Sequence, residues 1–186
     1  MRRDLAIGVV AVASVLGACQ PEKQGLGKPR DAEQATVVTT PFDGANATYT
    51  INGKPVTLVK GVAEMTSENS AMVTTTRYMG QEAIGDLDGD GQADRVFWIA
   101  QDAGGSGTFY YVVAAIQKNE GYSTTNAFLV GDRIAPESLD IRGDAHEVHV
   151  LYADRKPGEP MITRPSEGKV LLLKVNRDGV LEGLMK

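Results

Sequence analysis

Residues 94–116 read Asp-Arg-Val-Phe-Trp-Ile-Ala-Gln-Asp-Ala-Gly-Gly-Ser-Gly-Thr-Phe-Tyr-Tyr-Val-Val-Ala-Ala-Ile. Residues 95–100 and 108–116 are apolar runs of strand length, rich in β-branched and aromatic side chains, and the glycine-rich stretch between them has the composition of a hairpin loop. Neither run alternates with polar residues, which predicts strands buried over most of their surface.

The same texture continues on both sides. Upstream, Thr48-Tyr49-Thr50-Ile51 and residues 54–60 flank Asn52-Gly53, the strongest short-range hairpin signal, and residues 71–78 are again β-branched. Downstream, residues 127–130, 139–141, 148–152 and 169–175 are strand-sized runs divided by Gly, Pro, Asn and Asp. No window of twelve residues beyond the amino terminus keeps a capped helical period, and no repeat recurs at a fixed spacing. The fold predicted is mainly β: a single antiparallel β-sandwich or partly open barrel, with a calcium-type loop between strands.

That loop occupies residues 85–94, Gly-Asp-Leu-Asp-Gly-Asp-Gly-Gln-Ala-Asp. Asp86, Asp88, Asp90 and Asp94 stand at positions 1, 3, 5 and 9, Gln92 at position 7 offers a backbone carbonyl, and Gly91 at position 6 permits the sharp turn. Hard oxygen donors so spaced suit Ca²⁺, and four carboxylates so close would repel one another without a cation. In an EF-hand, position 12 is a bidentate Glu; here it is Phe97, inside a β-like run. The loop instead resembles the aspartate loops of FG-GAP repeats in integrin-type propellers, over about twelve residues, although a single copy cannot make a propeller. A structural ion fits better than a catalytic one, since no base or substrate-positioning group adjoins the loop in sequence. The plainer alternative is a solvated acidic turn.

The amino terminus has a different character. Arg2 and Arg3 precede an apolar stretch at residues 5–16, too short for a membrane span but of signal-peptide length, and Leu16-Gly17-Ala18-Cys19 follows. This resembles the lipobox of bacterial lipoproteins, which implies a signal peptide over 1–18, acylation of Cys19, and attachment to the cell envelope. By the same resemblance, Gln20 implies the outer membrane, with the domain facing the periplasm. Cys19 is the chain's one cysteine, so no disulfide is available. Residues 19–45, polar and broken by Pro and Gly, read as a flexible tether, of which 36–40 forms a possible extra strand, and residues 46–186 as the β domain. A hydrophobic content of 42%, 23% charged residues and a net charge of −5 suit one globular domain and argue against nucleic acid as a partner.

Other candidates are weaker. The loop at 104–107 lacks both the Lys of a phosphate loop and the final Gly of a nucleophile elbow, and reads as a hairpin tip with Ser106 exposed for contact. His146 and His149, three residues apart, fall on opposite faces of a strand and do not suit one metal. Asp132, Arg133, Asp154, Arg155 and Glu159 lie in two similar Asp-Arg and Pro segments, which read either as loop ion pairs of little net value or as one recognition rim.

The segments at 86–94, 104–111, 131–136 and 152–161 together resemble a group of small uncharacterised bacterial lipoproteins, over roughly residues 46–184. The resemblance implies one domain and carries no activity with it. The expectation is a lipid-anchored envelope protein, not an enzyme, whose calcium-stabilised β domain binds a protein or glycan partner. The alternatives are an inhibitor of an envelope-directed hydrolase, of the lysozyme-inhibitor type, and a hydrolase using the Gly-Ser-Gly and Asp-Arg loops.

Overall fold

In the computed structural model, which describes residues 41–66 and 72–184, Asn52 and Gly53 both take left-handed backbone (φ 50° and 76°) and turn β1 (Thr48–Ile51) into β2 (Lys54–Thr57). This is the conformation that two-residue hairpins require and that Asn-Gly adopts at low cost. The signal segment, Cys19, nearly all of the tether and the 36–40 run lie outside the described residues.

The central sheet runs β3 (Val62–Thr66), β4 (Val73–Gly85), β5 (Asp94–Asp102), β6 (Thr108–Lys118), β7 (Gly121–Thr124), all antiparallel. β8 (Phe128–Asp132) pairs with the first half of β6, on the edge whose second half β7 occupies. A second sheet has the order β12-β11-β10-β9, formed by β9 (Ala135–Arg142), β10 (Glu147–Asp154), β11 (Glu167–Val175) and β12 (Leu181–Gly183). Neither sheet closes on itself, so of the two architectures predicted the sandwich is the one formed.

The two apolar runs are continuous because the central sheet is covered on both faces. Val96, Trp98, Val112 and Ala114 face the second sheet and pack with Val148, Val150, Leu173 and Leu181. Phe97, Ile99, Tyr111 and Val113 face the other way, onto Tyr49, Ile51, Val56 and Leu58 of the β1–β2 hairpin. The hairpin is thus a third layer, and each of its fully buried side chains contributes about 1.5–3 kcal/mol by leaving water. Phe42 extends this layer, its ring stacked 5.5 Å from that of Phe97.

A few polar groups join the layers. Asn126 accepts from the Leu181 backbone N–H at 2.7 Å and donates to the Leu181 carbonyl at 3.1 Å, so one side chain pairs with the second sheet's edge as a strand would. At the other edge, Gly85 lies against Ile141: a Cβ on Gly85 would stand 2.7 Å from Ile141 Cγ2. The two sheets meet there without room for a side chain.

Candidate metal site and adjoining groove

The aspartate loop connects β4 to β5, and alternation along it decides which side chains go where. Leu87 is buried in the core between the sheets, while Asp86 and Asp88 on either side of it turn outward. Gly89 and Gly91 take left-handed backbone (φ 82° and 80°), which folds the loop back so that their amides reach Asp86. Asp86 Oδ1 accepts from Gly89 N at 2.7 Å and its Oδ2 from Gly91 N at 3.0 Å.

Asp94, the first residue of β5, is fully buried. Its Oδ2 accepts from Leu87 N at 2.7 Å and its Oδ1 from Gln117 N at 2.8 Å, so one carboxylate ties the loop to β6. Burial pushes its pKa up, and the charges of Asp88 and Asp90 add to this, against the two amide hydrogen bonds. For Asp86, burial also pushes upward, but the amides of Gly89 and Gly91 and the nearby His146 prevail and hold it below its ordinary value.

Oxygens of Asp86, Asp88 and Asp94 lie within 4.8 Å of one another. Three hard, anionic donors at this separation suit a divalent cation of the calcium type. Of the ligands predicted from sequence, these three are brought together. Asp90 is turned away from them, accepting from the backbone of Gln92 at 2.8 Å and from its side-chain amide at 2.7 Å.

Three groups beside the loop were not legible in sequence. Lys118, at the end of β6, donates to Asp88 Oδ2 at 2.7 Å. His146 lies in the β9–β10 turn at φ 52°, not in a strand, and its Nδ1 donates to the Asp86 carbonyl at 3.1 Å. Arg177, in the β11–β12 turn, lines a groove of about 420 Å³ with Lys118 and His146. All are turn or strand-end residues that share one end of the sandwich only once the strands are paired.

The predicted recognition residues occupy the opposite end, a β5 length away, roughly 25 Å at about 3.3 Å per residue. There Asp132 pairs with Arg133 at 3.0 Å and accepts from Thr108 N at 3.0 Å, while Arg155 donates to the Arg133 carbonyl at 2.9 Å. Asp154 accepts from the Arg155 backbone at 2.7 Å and pairs with Lys169 at 3.5 Å. Glu159 accepts from Lys156 N within its own loop, and Ser106 is exposed at its hairpin tip. Asp132, Arg133, Asp154 and Arg155 form one hydrogen-bonded group that locks three loops together, and the aspartate loop touches none of them. Neither a protein family, a curated protein nor a solved structure matches the chain.

Proposed function

We infer that this is a lipid-anchored protein of the bacterial envelope, held by Cys19 and sorted to the outer membrane by Gln20 in the sense of the lipobox resemblance, whose β domain carries a structural calcium ion and binds a partner. The observation that carries the reading is the convergence of Asp86, Asp88 and Asp94 within 4.8 Å on a loop tied to β6 through Asp94. A divalent ion there would neutralise carboxylates that otherwise repel, one of them wholly buried, and would fasten the β4–β5 connection to the end of the sandwich. Extracellular modules bind calcium with Kd on the order of 10⁻⁴ to 10⁻³ M, which suits an exported domain.

Binding is favoured over catalysis because the groups around the cluster are committed to structure: Asp94 to two backbone amides, Asp86 to two more, His146 to a carbonyl. The test is co-purification of the lipidated protein from its own envelope, comparing wild type with Asp88→Ala, with and without a chelator. Partners retained by wild type in calcium, and lost in both the chelator and the variant, are expected. Retention indifferent to calcium and to Asp88 would sink the calcium-supported binding module.

A further inference from the structure

The connection from β10 to β11, residues 155–166, stands at the end of the sandwich away from the aspartate loop and contains two successive turns. In the first, Glu159 N donates to the Lys156 carbonyl at 3.0 Å around Pro157 and Gly158, whose φ of 86° suits glycine. In the second, Thr163 N donates to the Pro160 carbonyl at 2.9 Å, which leaves Met161 and Ile162 at the corner. Turn corners favour Gly, Asn, Asp and Ser. This one holds two large apolar side chains, 42% and 96% exposed, and Ile162 is the most exposed large hydrophobic residue among those described. The loop is nonetheless fixed. Lys156 N donates to Glu159 Oε2 at 2.9 Å, Ser166 N closes the base on the Asp154 carbonyl at 2.9 Å, and Pro157, Pro160 and Pro165 restrict the backbone.

An apolar corner held out by a rigid loop loses little conformational freedom when another surface buries it. The flanking charges indicate which surface. Lys156 and Arg164 stand on either side of the corner, both exposed and without an ion-pair partner among the described residues. The nearest carboxylates are engaged, Glu159 with the Lys156 amide and Asp154 with Lys169. An apolar tip between two cations matches a bilayer interface, where acyl chains lie beneath phosphates. We propose that Met161 and Ile162 enter the interfacial layer of a phospholipid bilayer while Lys156 and Arg164 meet its phosphates, which turns the aspartate-loop end of the domain away from the membrane. This rests on the lipid-anchored reading above, which supplies the bilayer. Two side chains bind a membrane weakly by themselves, but an anchor on Cys19 makes the contact intramolecular, with a high effective concentration. Residues 19–40 reach at most about 75 Å, against roughly 25 Å for the length of β5, so either end of the domain is within range of the surface.

The experiment places a spin label through Ile162→Cys in the lipidated protein, reconstituted into vesicles of phosphatidylcholine mixed with phosphatidylglycerol. Cys19 is the chain's one cysteine, so with its thiol carrying lipid the new site alone takes up label. The label at 162 is expected to relax with oxygen, which collects in the bilayer, and to be shielded from a water-soluble nickel chelate. A label placed through Val180→Cys, between β11 and β12 at the opposite end, should stay open to nickel. Adding Met161→Asp should return the label at 162 to water, and Lys156→Gln and Arg164→Gln should each lower the ratio of inserted to free loop about fivefold. A label at 162 that stays in water, with wild type taking up none, overturns the proposal and leaves the anchor standing. A label shielded in native envelope membranes but aqueous in protein-free vesicles also overturns it, in favour of a protein pocket. Label taken up by wild type shows a free Cys19 thiol and removes the anchor reading and this proposal together.

Discussion

Lys118 Nζ meets Asp88 Oδ2 at 2.7 Å, so the last residue of β6 lends its charge to the third position of the aspartate loop. The pair would set an internal cation against the calcium ion proposed for the loop, and it links the loop to the groove that both residues line.

Removing that internal competitor should favour the external ion. Lys118→Met is expected to raise calcium affinity severalfold in a calorimetric titration. Stability should change by less than about 1 kcal/mol, because the lysine is half exposed and such pairs are weak. Unchanged or weaker calcium binding would show that Lys118 does not compete.

The pH dependence of the calcium-free protein should carry opposite contributions from two carboxyls of one loop. The folded pKa of Asp94 is raised, chiefly by burial. Its contribution is fully present below the unfolded value of about 3.9 and is lost as pH rises through the folded value. Asp86 is lowered, so its contribution is present above the unfolded value and lost as pH falls through the folded one. In chelator, the stability lost in Asp94→Asn should therefore shrink as pH rises from about 4 towards neutrality, read by urea denaturation. A gap that widens over that range would contradict the assignment.

Contact between the sheets is tight enough to exclude one methyl group. Gly85→Ala places a Cβ 2.7 Å from Ile141 Cγ2 and is expected to cost about 1–3 kcal/mol. Combined with Ile141→Ala, the two losses should add to less than their sum, since the second substitution removes the closest contact of the first, at Cγ2, and leaves only Ile141 Cβ at 3.0 Å. Additive losses would place the strain elsewhere.

How far this could be read from residues alone depended on sequence distance. The Asn52-Gly53 hairpin and the strands β5 and β6 were legible because turn chemistry and apolar runs are local signals. That the hairpin forms a third layer was not, since the same apolar runs would arise under any cover on the outer face. Asp86, Asp88 and Asp94 were legible from spacing within one loop. Asp90 was not told apart from them, because its turn towards the Gln92 amides is a local choice that spacing does not record. Lys118 ends β6, His146 and Arg177 come from two separate turns, and none carries a motif; only the pairing of β6, β10 and β11 into their sheets brings them to one end. His146 was further disguised by its left-handed turn, which breaks the strand alternation assumed for it.

The anchor is tested independently of the fold. Cys19→Ala should move the protein from the membrane fraction to the soluble fraction after lysis and remove its acyl label, with no change in the melting of the β domain. Retention in the membrane with no lipid attached would end the lipoprotein reading.

The central claim is that calcium stabilises the β domain through Asp86, Asp88 and Asp94, and thermal melting of the protein in calcium and in chelator tests it most directly. At a calcium concentration one hundred times Kd, linkage gives about 2.7 kcal/mol, which for a domain of this size raises Tm by roughly 5–10 °C. The expected result is a rise of that order in wild type and none in Asp88→Ala; equal melting in calcium and chelator for wild type would contradict the account.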